Sequence, residues 1–294
     1  MIRRLLFLLA VVLTAACAVS AQSTVGDWTI YSSFGRTVDK MVQTDSKVFY
    51  LSEGMLYSYD YKDNETYEYT TRNKLNDTDI NDIRYNYDKD YLLVIYDDYN
   101  MDLLYDDGKV VNFPDLKESS SVVDKTINDV QFGDNRIYIS TVFGFIIYDD
   151  QRHEVKESAI FNTNVASIVE MGDYLAAVIG GKLYTASKEG RHNTLDKFKV
   201  IGGFNVTSVH KCSDNLLAYI NSKKFYTISI DFSRNATSIN ATNMSAVDQL
   251  MTMKDGFYVR NADKNLLLFN NNAELTKTVT VPDDFKNDAL STWQ

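Results

Sequence analysis

The chain has 294 residues, 45% of them apolar, and a formal net charge of -10. That acidic balance excludes recognition of a nucleic-acid backbone through overall charge, and it offers no general attraction to an anionic membrane. The length suffices to bury a large core by packing alone, and only two cysteines are present, so no disulfide framework is implied.

The chain opens on "MIRRLLFLLAVVLTAACAVSAQ". Two arginines, an unbroken apolar run and small residues before Gln22 form the pattern of a secretory signal peptide, residues 1–21, with cleavage expected after Ala21. A membrane anchor would need a longer apolar run and a basic flank, so no transmembrane span is expected in the mature chain. A lipid anchor on Cys17 is a further reading, set against it by Thr14, which stands where a leucine-like residue is usual. Cleavage leaves Cys212 alone. It lies beside a turn in "VTSVHKCSDNLL" and reads as a half-buried small hydrophobe, because a catalytic thiol needs a base and an electropositive pocket.

Residues 22–294 read as one all-β domain built from a repeat. Units begin at Val38, Ile80, Ile127, Val165, Val206 and Val247. Each opens on an aliphatic residue, two mostly polar residues and a second apolar residue. A turn follows, then a strand, a second turn and another strand. The spacing of roughly forty residues is that of one propeller blade. The second unit divides into "DIRYNY", "YLLVIY", "MDLLYD" and "KVVNF", separated by turn residues. Continuously apolar strands such as "YLLVIY" suit positions covered on both faces. The expectation is therefore a β-propeller of four-stranded antiparallel blades, with six countable repeats and six or seven blades. The extra strand in "DWTIYSS", Trp28 to Tyr31, is expected to close the ring against C-terminal sequence, and "DALSTWQ" would contribute if a seventh sheet exists. "NTLDKFKVI" suits a brief helical turn or a strand equally.

In the "INDI" and "INDV" openings, Ile80, Ile83, Ile127 and Val130 are expected to pack between blades. Asn81, Asp82, Asn128 and Asp129 are expected at the turn entering the inner strand, bonding backbone amides. Oxygen-rich stretches at Asp60, Asp63 and Glu65, and at Asp97, Asp98, Asp102, Asp106 and Asp107, invite a calcium reading. Neither matches a twelve-residue calcium loop, and tight-turn formation accounts for them as well. Strand tyrosines Tyr50, Tyr96 and Tyr138 read as packing residues. Tyr99, with Asp97, Asp98 and Asp102, marks a candidate binding loop. His153 and His192 sit in polar turns and read as solvated, while His210 begins a strand and reads as half-buried. No metalloprotease or nucleophile-elbow motif occurs, and no cofactor is implied.

The stretches "LSEGMLYSYDYKDNETYEYTTRNKLNDTDINDIRYN", "NMDLLYDDGKVVNFPDLK" and "KTINDVQFGDNRIYISTVFGFIIYD" resemble the N-terminal β-propeller of PorZ-like proteins of the type IX secretion system of Bacteroidota. They are also similar to the propeller repeats on sensors of hybrid two-component regulators. The first resemblance implies a protein of the outer membrane or cell surface, in a family with two propellers and a C-terminal sorting domain, that assists attachment of exported cargo to anionic lipopolysaccharide. Two functional classes follow: a non-catalytic envelope scaffold whose partners are secretion-machinery proteins or an outer-membrane glycan, and a ligand-sensing propeller of a regulator. A propeller hydrolase comes third.

Overall fold

The computed structural model describes residues 38–201, 205–213, 216–221, 224–229, 237–238, 247–253, 256–263, 265–272 and 274–280. These described residues belong to one compact unit. Among the described residues the strands fall into six four-stranded antiparallel sheets, each built from consecutive strands. Sheet 1 holds β1 (Lys40–Gln43), β2 (Lys47–Ser52), β3 (Met55–Asp60) and β4 (Thr66–Tyr69). Sheet 2 holds β5 (Ile80–Asn86), β6 (Tyr91–Tyr96), β7 (Met101–Tyr105) and β8 (Val110–Asn112). Between sheets 2 and 3 lies a single helical turn, α1 (Asp115–Glu118). Sheet 3 holds β9 (Ile127–Gly133), β10 (Arg136–Thr141), β11 (Gly144–Asp149) and β12 (Glu154–Ile160). Sheet 4 holds β13 (Val165–Met171), β14 (Tyr174–Ile179), β15 (Lys182–Ser187) and β16 (Lys199–Val200). Sheet 5 holds β17 (Ser208–Ser213), β18 (Leu216–Asn221), β19 (Lys224–Ser229) and β20 (Thr237–Ser238). Sheet 6 holds β21 (Val247–Met253), β22 (Gly256–Asn261), β23 (Leu266–Asn270) and β24 (Leu275–Val279).

This is the all-β, four-stranded-blade architecture read from the repeat. Ile80, Ile127, Val165 and Val247 begin β5, β9, β13 and β21, and the other two units begin two residues late, at Lys40 and Ser208. The ambiguous stretch after Asn193 contains both elements expected of it, a 3₁₀ turn at Leu195–Lys197 and the strand β16. The signal segment, Cys17, the closing strand Trp28 to Tyr31, the side chain of Cys212 and residues 281–294 lie outside the described residues. So does the choice between six and seven blades, which rests on those segments.

Period-two alternation explains how the sheets stack. In β6, Leu92, Val94 and Tyr96 enter the core shared with sheet 1, while Leu93 and Ile95 enter the core shared with sheet 3. In β10, Ile137 and Ile139 point back towards sheet 2, and Tyr138 points on towards sheet 4. In β14, Leu175, Ala177 and Ile179 face sheet 3, while Ala176 and Val178 join Val206 and Val209 at sheet 5. A strand with both faces buried must be apolar throughout, and every residue of β6 is buried.

Polar ties cross the same interfaces. Lys89 reaches Asp150 at 2.5 Å and Tyr91 Oη donates to the same carboxylate at 2.8 Å, joining sheets 2 and 3. Tyr138 Oη donates to Glu170 at 2.7 Å and Lys188 pairs with that residue at 3.1 Å, joining sheets 3 and 4. Each buried carboxylate is therefore both neutralised and hydrogen-bonded, which its desolvation requires.

Candidate functional site

The opening motif of sheets 2, 3, 4 and 6 carries a β-bulge. Ile80 opposes Tyr96 and Asp82 opposes Ile95, so Asn81 is extra. Asn128 and Ala166 are skipped in the same way in β9 and β13. Residues three apart on a regular strand point to opposite faces, and one inserted residue restores them to the same face. Ile80 and Ile83 accordingly share the core between sheets 1 and 2, and Ile127 packs with Val130 between sheets 2 and 3. Ile127 is only half-buried, whereas Ile83 has no exposed surface. Asn81 donates to Asp97 Oδ1 at 2.8 Å. Asn128 donates to the Val165 carbonyl at 2.8 Å, which ties sheet 3 to the first residue of sheet 4.

Asp82 and Asp129 sit elsewhere than expected. They and the asparagines before them, Asn81 and Asn128, lie inside β5 and β9 rather than in the entering turn, and the bulge turns the residue after the asparagine inwards. There they meet side chains from other inner strands. Asp82 contacts Lys40 Nζ on β1 and accepts from Arg84 Nε at 2.9 Å. Arg84 also faces Asp129 at 3.8 Å, and Gln131 Nε2 donates to Asp129 at 2.9 Å. The Arg84 charge acts across to His210 on β17, three sheets onward in sequence. Inner strands converging on a common axis bring these side chains of sheets 1, 2 and 3 to one place.

Burial controls the electrostatics of this axial cluster. It drives the Lys40 ammonium down to about 6, helped by Arg84 and opposed by Asp129. It lowers Arg84, with Asp129 pulling the other way, and raises Asp129 against Arg84, Gln131 and the Val130 amide. His210 is held down to about 4 by burial and then by Arg84. Two basic and two acidic side chains thus meet along the inner strands. The arrangement braces inner strands against each other.

The expected binding loop divides. Asp97 is exposed and holds Asn81, while Asp98 is exposed and pairs with Lys117 at 2.5 Å. Lys117, from α1, also reaches Asp77 at 2.6 Å, so the helical turn is pinned onto this loop. Tyr99 adopts a left-handed conformation, φ 69, and lays its ring on the core between sheets 2 and 3. Asp102 is not a loop residue. It lies fully buried in β7 and accepts from the Asn76 amide, Asn76 Nδ2, Tyr96 Oη and Asn112 Nδ2 at 2.5–3.0 Å.

His192 also differs from the expectation of a solvated turn residue. It is buried, with Nδ1 3.1 Å from Glu157 and Nε2 2.7 Å from the Ser187 carbonyl. His153 sits in a turn with φ 59 and is half-buried. The acids at Asp60 and Asp63 cap their own turn, bonding the amides of Lys62 and Glu65 at 2.8 and 3.0 Å. Among the described residues no group of His, Cys, Asp or Glu is arranged to hold a metal ion.

The family model of the PorZ N-terminal β-propeller domain of the type IX secretion system matches residues 48–199, more than half of the 294. The chain belongs to this family. Among solved structures it is similar to PorZ, an essential surface component of the type IX secretion system of Porphyromonas gingivalis, with a TM-score of 0.75 and 21% identity over 84% of this chain and 33% of PorZ. The chain therefore spans about a third of that relative's length. The WD40 propeller domain of Doa1 gives a TM-score of 0.60 at 13% identity, covering 84% of this chain and 83% of that one. The extracellular domain of a protein described as a hybrid two-component system from B. thetaiotaomicron gives 0.59 at 11% identity, covering 84% and 35%. At these identities each likeness shows the fold alone. No curated protein is matched by sequence.

The PorZ-family span contains Asp82, Arg84 and Asp129, while Lys40 and His210 flank it. Lys40, Arg84, Asp150 and Glu170 were not singled out from the sequence. For the axial group a signal existed: the third position of the repeat motif reads Lys40, Asp82, Asp129, Ser167 and Ser208, polar in every one of these units. Asp150 and Glu170 carry no comparable pattern, because their partners come from neighbouring sheets.

Proposed function

We propose that this protein is a non-catalytic scaffold propeller of the cell envelope that serves type IX secretion and the surface attachment of cargo by binding a protein of that machinery. Membership of the PorZ N-terminal propeller family carries the reading. The axial cluster supports it, since its ionisable groups serve as one another's partners across the inner strands. An export signal at residues 1–21 and a mature domain from Gln22 fit a periplasmic or surface location. No helix among the described residues is long and apolar enough to cross a membrane.

Contact is assigned to turns at one end of the ring, where rigid strands fix loops from several sheets side by side. Asp97 and Asp98 are the exposed acids of the candidate loop. The formal charge of -10 favours a protein partner over direct contact with a polyanionic glycan. The sensor reading rests on a fold likeness that WD40 domains share, so it gains nothing specific.

The mature chain used as bait in solubilised envelope should retain a secretion-machinery protein, and Asp97→Asn with Asp98→Asn should weaken that retention. Recovery of no envelope protein, together with turnover of a glycan or peptide substrate, would reverse the assignment.

A further inference from the structure

We propose that one end of the ring carries a tyrosine-rich docking face that receives an arginine- or lysine-bearing surface of a partner protein. Antiparallel pairing of consecutive strands puts the first and third turns of each sheet at one end and the second turn at the other. Tyr59, Tyr61, Tyr67, Tyr87 and Tyr174 are 36–43% exposed, more than any other tyrosine among the described side chains. All five lie in or beside a first or third turn. Tyr59 is the penultimate residue of β3, Tyr61 lies in the β3–β4 turn and Tyr67 is the second residue of β4. Tyr87 lies in the β5–β6 turn, and Tyr174 opens β14. The Asp97–Asp98 turn joins β6 to β7 and so belongs to the opposite end. The tyrosine face is therefore additional to the contact proposed above, and either stands without the other.

Ties between turns hold this face in place. The Tyr61 amide donates to the Ser46 carbonyl at 3.0 Å and Tyr87 Oη to the Gln43 carbonyl at 3.0 Å, so both rings are seated beside the β1–β2 turn. Lys47 faces Asp106 at 3.7 Å between sheets 1 and 2, and Lys89 joins the β5–β6 turn to Asn135 and Asp150 of sheet 3. The rings themselves are fixed. Tyr59 and Tyr61 meet edge to face at 6.1 Å, as do Tyr85 and Tyr87 at 5.0 Å. Tyr59 Oη donates to Asn64 at 3.0 Å and Tyr67 Oη to Asp63 at 2.5 Å. With these hydroxyls engaged inside the protein, the surface offers ring faces. Rings already held lose little freedom on binding, and tyrosine is enriched at protein interfaces for that reason.

Charge selects the occupant. Each of the four turns of sheets 1 and 2 at this end carries an exposed acid: Asp45, Asp63, Asp88 and Asp107. Glu65 and Asp90 stand beside them, while the exposed bases of these turns are Lys62 and Lys109. A second copy of this chain, with its formal charge of -10, would bring like charge against the face, and so would an anionic glycan. Guanidinium and ammonium groups suit both features at once. They lie on ring faces and pair with the carboxylates alongside.

The test uses the mature chain and a short unstructured peptide of alternating arginine and glycine, followed by titration calorimetry. The peptide should bind, binding should fall with added salt, and a glutamine-for-arginine counterpart should not bind. Tyr61→Ser with Tyr87→Ser should weaken binding roughly ten-fold, the worth of two exposed ring–cation contacts. Tyr61→Phe with Tyr87→Phe should keep it, and so should Asp97→Asn with Asp98→Asn. Hydroxyl-radical footprinting of the native protein needs no variant: the peptide should protect Tyr59, Tyr61, Tyr67 and Tyr87 and leave Tyr99 unchanged. Equal binding of the glutamine peptide, full binding by the folded serine variant, or protection confined to the Asp97–Asp98 end would each overturn the proposal. Protection of the tyrosines by a neutral maltooligosaccharide but not by the arginine peptide would overturn it in favour of a glycan.

Discussion

Asp102 shows what a single buried group costs and contributes in this fold. Its carboxylate accepts four hydrogen bonds from Asn76, Tyr96 and Asn112, and it has no exposed surface. Asp102→Ala leaves those donors buried without an acceptor. The expected loss is on the order of 3 kcal/mol or more, read from equilibrium denaturation. Aspartate in "NMDLLYDDG" looked like a loop acid because its neighbours Asp106 and Asp107 are turn residues. Strand or turn is decided here by pairing with Val94 and Asn112, which composition does not display. The isoleucines make a contrasting pair. Ile83, the fourth residue of its motif, is fully buried, and Ile127, the first residue of the next, is half-buried. Ile83→Ala should cost about 2–5 kcal/mol and Ile127→Ala less than about 2 kcal/mol, by the same measurement. Equal costs would mean that the burial order is misread.

At the scale of the strand, most of the fold was legible, and for a physical reason. A blade strand covered on both faces must be apolar at every position, and "YLLVIY" became β6 with the boundaries read from sequence. The bulge was not legible as such, although its imprint was: an aliphatic pair three residues apart cannot share one face of a regular strand. Gly144 carries a second imprint. It starts β11 with φ 152, and a Cβ there would lie 1.9 Å from the Ala159 carbonyl oxygen on β12. Gly144→Ala should therefore force the β11–β12 pair apart. Loss of soluble folded protein, or a fall in Tm of many degrees, is expected, since the obstacle is backbone and cannot rotate aside. A variant with native Tm would show that the two strands have room to separate.

At the scale of the whole molecule, sequence showed the repeat but not what the repeat places together. The third motif position varies from lysine to aspartate to serine, so it reads as solvated until convergence on the axis brings Lys40, Asp82, Arg84 and Asp129 into contact. Such a cluster can act as glue or as a device that selects one arrangement of sheets, and the two predict different mutational patterns. Arg84→Met alone leaves half-buried Asp129 without its cation and Asp82 with Lys40 alone, and should cost about 3–5 kcal/mol. Replacing Lys40, Asp82, Arg84 and Asp129 together by apolar residues of similar volume removes the charges and their desolvation cost at once. That combined variant should recover most of the loss, because buried ion pairs are often near neutral against apolar replacements. Its unfolding should then be the informative measurement. If the charges select the arrangement, the combined variant stays stable but unfolds over a broader denaturant range, as sheets from different parts of the ring lose their common register. If the charges are glue, the combined variant remains as unstable as Arg84→Met with its cooperativity intact.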